Sequence, residues 1–205
     1  IKSCFNELLH TNIPSSYSHQ DKNLRAKTAI EEAIEGYANL TCIDFRVRSD
    51  EDDFLEFVAR EKGCRSFIGR MGGRQIVSIG AGCARAGVVQ HELLHALGFW
   101  HEQSRPDRDA YVTVKLDNVA QSFVHNFKVR GRSSVKDLKS EYDIKSVMHY
   151  GGFSFSKNRQ PTIVDKVTGK VVKSQRKGLS SKDIKEARVL YNCADGPGIG
   201  GYGNN

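Results

Sequence analysis

The sequence predicts an α+β fold in which a sheet with its helices comes first and a loop-rich half follows. Helical and alternating periodicities fill roughly the first hundred residues, and irregular sequence dominates the rest. Between them stands one apolar helix that carries HELLHALGFWHE, residues 91 to 102. A cleft is therefore expected at the histidine helix.

The early elements follow from periodicity. Asp21 to Leu40 is predicted as a helix because Ile30, Ala33, Ile34 and Tyr37 recur at three-and-four spacing and form one apolar stripe. Such a stripe needs a sheet to pack on. Ile43, Phe45 and Val47 alternate with polar residues, as does part of Phe54 to Val58, and Gln75 to Ile79 makes a third strand-like run. The segment before Ile13 and Pro14 carries only a poor strand signal. Gly69-Arg70-Met71-Gly72-Gly73 reads as a hairpin-like turn between two strands.

From Gly87 the apolar helix begins, and it should stop near Gly98. Beyond it, Val119 to Phe127 is a further helix candidate. Ser180, with Asp183 three residues later, resembles an N-cap ahead of a helix over Ile184 to Leu190 that stops at Cys193. Ala194 to Asn205 holds five glycines and few apolar side chains, so residues 194–205 are expected as a flexible tail or linker. The expected domain is residues 1–193, halved at about residue 98.

At 205 residues the chain is long enough for one self-sufficient core. Hydrophobic content of 39% and charged content of 27% are ordinary for a soluble globular protein. No run approaches the roughly 18 apolar residues that cross a bilayer, and no charged-then-apolar leader precedes Ile1. A start at Ile rather than Met fits a processed or trimmed chain. The net charge of +7 comes from scattered Lys and Arg, without the basic stripe or reader motif that nucleic-acid binding needs. Nucleic acid is not an expected partner.

The five cysteines, Cys4, Cys42, Cys64, Cys83 and Cys193, include no CxxC pair, which argues against a thiolate zinc knuckle and for disulfides. Asn39-Leu40-Thr41 is a glycosylation sequon. Together these features favour an extracellular protein.

The histidine helix carries the chemistry. Residues four apart share a helix face, so His91 and His95 can hold one ion, and Glu92 is near enough to act as general base on a water there. A lone HExxH also arises in ordinary helices. Here Gly98 can turn the chain sharply back and bring His101 round as a third nitrogen, completing HExxHxxGxxH. Three protein nitrogens leave one position open, the mark of a catalytic zinc site, with zinc expected over copper or iron.

The stretch His91 to Asp109, HELLHALGFWHEQSRPDRD, resembles the extended zinc signature of the astacin family of metalloendopeptidases, within the metzincins. Glu141 to Tyr150, EYDIKSVMHY, is similar to the family's Met-turn segment. The segment from Cys64 to Cys83 resembles its small disulfide loop, and Leu190-Tyr191-Asn192-Cys193 its closing cysteine. The likeness spans roughly Ile30 to Cys193.

The resemblance implies a zincin-like fold with one catalytic Zn2+ held by His91, His95 and His101, and with Tyr150 as a further ligand at rest. Glu92 would polarise the zinc-bound water and pass its proton to the leaving amine. Tyr150 would swing away and help stabilise the oxyanion, and Met148 would form a floor beneath the metal. Glu102 would link through water to the amino terminus of the mature chain, although Ile1-Lys2-Ser3-Cys4 departs from the family's usual start. Arg105, Asp107 and Arg108 would form a charge network. The resemblance also pairs Cys42 with Cys193 and Cys64 with Cys83, leaving Cys4 over, and hatching-type members carry extra amino-terminal cysteines. His149 is expected to be structural or exposed, and His10, His19 and His125 ordinary.

The expected activity is that of a secreted, monomeric zinc endopeptidase acting on extracellular-matrix or egg-envelope type proteins. An inactive extracellular binding module that keeps zinc for structure, and a metal-dependent amidase of small molecules, are the alternatives.

Overall fold

The computed structural model describes residues 9–12, 21–59 and 63–194. Cys4, His19 and residues 195–205 of the expected tail lie outside them. The first half is built on a five-stranded sheet: β1 (Leu9–Asn12), β2 (Phe45–Val47), β3 (Phe54–Val58), β4 (Cys64–Ser66) and β5 (Arg74–Ile79), in the order β2-β1-β3-β5-β4. All neighbours pair in parallel except β4, which runs antiparallel to β5 and forms one edge. The glycine turn at 69–73 joins this antiparallel pair, so its expected hairpin character holds, although Cys64–Ser66 has no strand signal of its own.

The poor strand signal before Ile13 also hides β1. It lies inside the sheet, with Leu9 opposite Phe45 and Thr11 opposite both Val47 and Leu55. Pairing on both sides secures a segment whose local propensity is weak.

Two helices pack together against this half. Helix α1 (Asp21–Leu40) buries Ala26, Ala29, Ile30, Ala33 and Tyr37, and the Tyr37 hydroxyl donates to the Gln90 carbonyl of α2 (Ala86–Ala96) at 2.8 Å. Phe57, Val77, Ile79, Leu93 and Leu94 complete the core, each stabilising the fold by roughly 1.5–3 kcal/mol on burial.

The second half is mostly turns around a smaller core of Val112, Val119, Phe127, Tyr142, Ile163 and Val172. Its regular elements are the antiparallel pair β6 (Val112–Val114) and β7 (Ile163–Asp165), and α3 (Ser181–Leu190). The helix expected over Val119 to Phe127 is corrected: Val119 bridges to Ser156, and only Gln121–Phe127 is helical, as a 3-10 helix. Phe127 is the one buried residue of those seven, so no stripe sustains an α-helix.

Helix α3 starts as expected with a full capping box between Ser180 and Asp183. Disulfides Cys42–Cys193 and Cys64–Cys83 are both formed, and the Tyr191 hydroxyl donates to the Leu97 carbonyl at 3.1 Å. The segment that follows α3 is thereby fastened to the first half and to the end of α2. Among the described residues no helix is long and apolar enough to cross a membrane.

Candidate metal and catalytic centre

Ten of the eleven residues of α2 are buried, including His91, Glu92 and His95. The helix ends in a Schellman motif: Gly98 takes φ 100°, its N–H donates to the His95 carbonyl at 2.8 Å, and Phe99 N–H donates to the Leu94 carbonyl at 2.9 Å. That reversal returns His101 to the other two histidines. His95 Nε2 and His101 Nε2 are 3.2 Å apart, and His101 Nε2 and His91 Nε2 are 3.3 Å apart.

The second ring nitrogens fix the tautomers. His91 Nδ1 donates to the Val147 carbonyl and His95 Nδ1 to the Phe99 carbonyl, each at 2.8 Å. Both Nε2 atoms therefore present lone pairs to the centre. Burial is the first cause that lowers all three imidazole pKa values, His91 to about 3, so the rings are neutral at pH 7. Two fixed lone pairs, with the neutral His101 Nε2 beside them, make a nitrogen triad suited to holding a cation. On a tetrahedral zinc with bonds of roughly 2.0–2.1 Å, ligand nitrogens stand about 3.3–3.4 Å apart, close to the observed spacings. The donor set fits zinc.

Glu92 is buried beside this cluster, and burial pushes its carboxyl up to about 7 while the Arg176 guanidinium acts in the opposite direction. Among the described residues no hydrogen bond occupies that carboxylate. The Tyr150 ring lies 4.4 Å from the His101 ring, and burial pushes its phenol up to about 12. Met148 is buried in the main core and its carbonyl accepts Glu102 N–H at 3.1 Å, tying the segment 146–149 to the loop after His101.

His149 is fully buried, its Nδ1 donating to the Tyr150 carbonyl at 2.7 Å and its Nε2 facing the Tyr142 hydroxyl at 2.6 Å, so both nitrogens are engaged within the protein. His125 is exposed. Arg105 meets Glu102, Asp107 and Glu186, while the buried Arg108 binds the Gln103 and Phe127 carbonyls. Glu102 also accepts Asp143 N–H at 2.7 Å. A cavity of about 400 Å³ lies beside it, lined in part by Trp100, Arg105, Asp107 and Glu186; the amino terminus that the resemblance brings to Glu102 lies outside the described residues.

Residues 7–192 match the peptidase family described as Astacin. The chain belongs to the astacin family. It is 43% identical over 182 residues to zinc metalloproteinase nas-13 of Caenorhabditis elegans, covering 88% of this chain and 40% of that protein. Against human meprin A subunit beta it is 42% identical over 173 residues, covering 83% and 24%. Among solved structures it is similar to high choriolytic enzyme 1, a hatching enzyme zinc-protease from Oryzias latipes, with TM-score 0.83, 38% identity and coverage of 94% and 96%. The chain thus spans less than half the length of these two sequence relatives and nearly all of the hatching enzyme structure. The domain is an astacin-type zinc metallopeptidase fold.

Several residues of this astacin site carry no signal in spacing. Arg176 comes from an irregular segment 80 residues downstream, and the backbone there packs so tightly on α2 that a Cβ on Gly87 would lie 2.6 Å from the Arg176 carbonyl carbon. Gln103 accepts Tyr150 N–H at 3.1 Å. Asp183, legible only as a cap, also accepts from Ser146 Oγ at 2.6 Å and Val147 N–H at 2.9 Å.

Proposed function

We propose that the chain is the catalytic domain of a secreted zinc endopeptidase that hydrolyses internal peptide bonds of extracellular proteins. The convergence of three neutral Nε2 atoms beside the unengaged carboxylate of Glu92 carries this reading. Zinc bound by His91, His95 and His101 would supply Lewis acidity and a water of lowered pKa. Glu92 removes the proton from the attacking water and delivers it to the leaving amine, work suited to a carboxyl poised near neutrality. Tyr150 keeps its phenolic proton at pH 7 and donates to the oxyanion.

An extended substrate would add to the free edge of the sheet at β4, which the Gly69 N–H contact with the His95 carbonyl holds beside the end of α2. The likeness to a hatching enzyme supports an egg-envelope or matrix-type protein substrate. Two disulfides and the exposed sequon residue Asn39 support secretion, and the domain is read as a monomer.

Cleavage of denatured casein or gelatin by the parent and by Glu92→Gln, at equal zinc content, tests the mechanism. The variant is expected to lose roughly 10²–10⁴-fold in kcat. Undiminished hydrolysis by the variant would sink the role of Glu92, and chelator-resistant hydrolysis would sink the role of zinc.

A further inference from the structure

Four non-glycine residues have left-handed backbone among the described residues: Lys139, Phe155, Arg159 and Asn192. Lys139 and Arg159 are exposed turn residues, and Asn192 follows the end of α3. Phe155 is different. Its φ is 57°, where a bulky side chain is an outlier and glycine the default, yet its side chain is large, apolar and half-buried.

The backbone around it is tied down. The Phe155 carbonyl accepts Ala120 N–H at 2.9 Å, Ser156 N–H donates to the Phe153 carbonyl at 3.2 Å, and Ser156 bridges Val119. Glycine could make all of these bonds without the conformational cost. What glycine lacks is the ring, and outliers of this kind cluster where function over-determines the structure.

The ring belongs to an aromatic group that reaches the site. Phe155 stacks on Phe123 with centroids 4.6 Å apart, meets Phe127 edge-on at 6.2 Å and touches Tyr150 at 5.4 Å. Phe127, itself fully buried, meets Tyr150 at 5.8 Å. The same Tyr150 ring lies 4.4 Å from His101. Among the described residues no phenylalanine ring pairs with a histidine of the cluster, so Tyr150 alone links the phenylalanine group to the three histidines.

We propose that Phe155 is a positioning residue whose ring, carried on a left-handed backbone, sets where the Tyr150 ring rests beside His101. The proposal rests on the reading that Tyr150 acts in catalysis. Phe127 forms a fixed wall for that ring, and Phe155 forms the wall that can be altered without opening the buried core. Phe123, partly exposed, braces Phe155 from outside.

Four proteins decide the matter: the parent, Tyr150→Phe, Phe155→Leu and the double variant, compared at equal zinc content with unfolding midpoints measured for each. Leucine keeps apolar bulk and removes the flat ring. Phe155→Leu is expected to lower kcat roughly tenfold or more, with KM within about twofold of the parent. In the Tyr150→Phe background the same change is expected to have little effect. An equal loss in both backgrounds would mark Phe155 as merely structural and overturn the proposal.

A readout independent of zinc comes from near-ultraviolet circular dichroism of the metal-free proteins. The difference spectrum between parent and Tyr150→Phe isolates Tyr150, and it should change when Phe155 is leucine; an unchanged spectrum counts against the proposal. If Tyr150→Phe retains the parent kcat, the catalytic reading of Tyr150 has failed, while the dichroism still tests ring placement. Should Phe155→Leu not fold, Phe123→Leu loosens the same stack from its exposed end and is expected to show the same dependence on Tyr150.

Discussion

His91 and Asp183 are joined through the backbone of a single residue: the Val147 carbonyl accepts from His91 Nδ1 at 2.8 Å, and the Val147 N–H donates to Asp183 Oδ2 at 2.9 Å. Asp183 Oδ1 accepts from Ser146 Oγ at 2.6 Å, and Ser146 Oγ in turn accepts Met148 N–H at 2.9 Å. One buried carboxyl at the start of α3 thus orients the segment against which an imidazole of the histidine cluster is set. Partners placed one bond behind a metal ligand hold its tautomer and ring angle.

Asp183→Ala strands the Val147 and Ser180 N–H groups and the Ser146 hydroxyl. It is expected to destabilise the metal-free protein by roughly 2–4 kcal/mol in urea unfolding. Zinc affinity, measured by competition with a chelator, is expected to fall about 10–100-fold. Parent-like zinc affinity in a folded Asp183→Ala protein would show that Val147 holds its place without the carboxylate.

Gly87 sits in the first turn of α2, a position where alanine ordinarily stabilises a helix. Here a Cβ would meet the Arg176 carbonyl group and lie 2.8 Å from Gly178 N. Gly87→Ala should therefore cost about 1–3 kcal/mol by overpacking and reduce hydrolysis, because Arg176 would move away from Glu92. A Gly87→Ala protein with raised stability and full activity would disprove the close approach.

Much of this is legible in the sequence, for reasons that can be named residue by residue. The stripe of Ile30, Ala33 and Tyr37 announces α1 because one face of that helix is buried, and Ser180 with Asp183 announces α3 because a capping box is local. His91, His95 and His101 can be read from spacing because one helix and one glycine turn position all three. Strands β1 and β4 cannot be read: four and three residues long, they owe their conformation to their neighbours. Arg176 and the second role of Asp183 stay hidden because both depend on contacts between segments some 36 to 90 residues apart, which no periodicity records.

Cys42 and Cys193, 151 residues apart, close almost the whole described domain into one loop. In the chain-entropy model that bridge contributes up to about 5 kcal/mol, against about 3 kcal/mol for the short loop between Cys64 and Cys83. The double alanine variant at Cys42 and Cys193 is expected to lower the thermal midpoint more than the one at Cys64 and Cys83. The reverse order would mean that the unfolded chain is already compact, or that the short bridge supports the edge strand more than its loop length suggests.

Glu102 gives the pH dependence with the clearest sign. Burial pushes its carboxyl up to about 8, although Arg105 and the Asp143 N–H act to lower it. Its unfolded value is near 4.3, so between these values the folded state holds a proton that the unfolded state has released. The folded state then binds more protons, and stability falls as pH rises. The contribution is complete below about pH 4.3 and lost as pH passes through about 8. Urea unfolding of the metal-free parent and of Glu102→Gln across that window isolates the effect, since Gln cannot titrate: the parent is expected to lose stability relative to the variant by up to a few kcal/mol. Equal profiles would mean that Glu102 is already ionised in the folded state across this window, held so by Arg105 or by another cation in the cavity beside it.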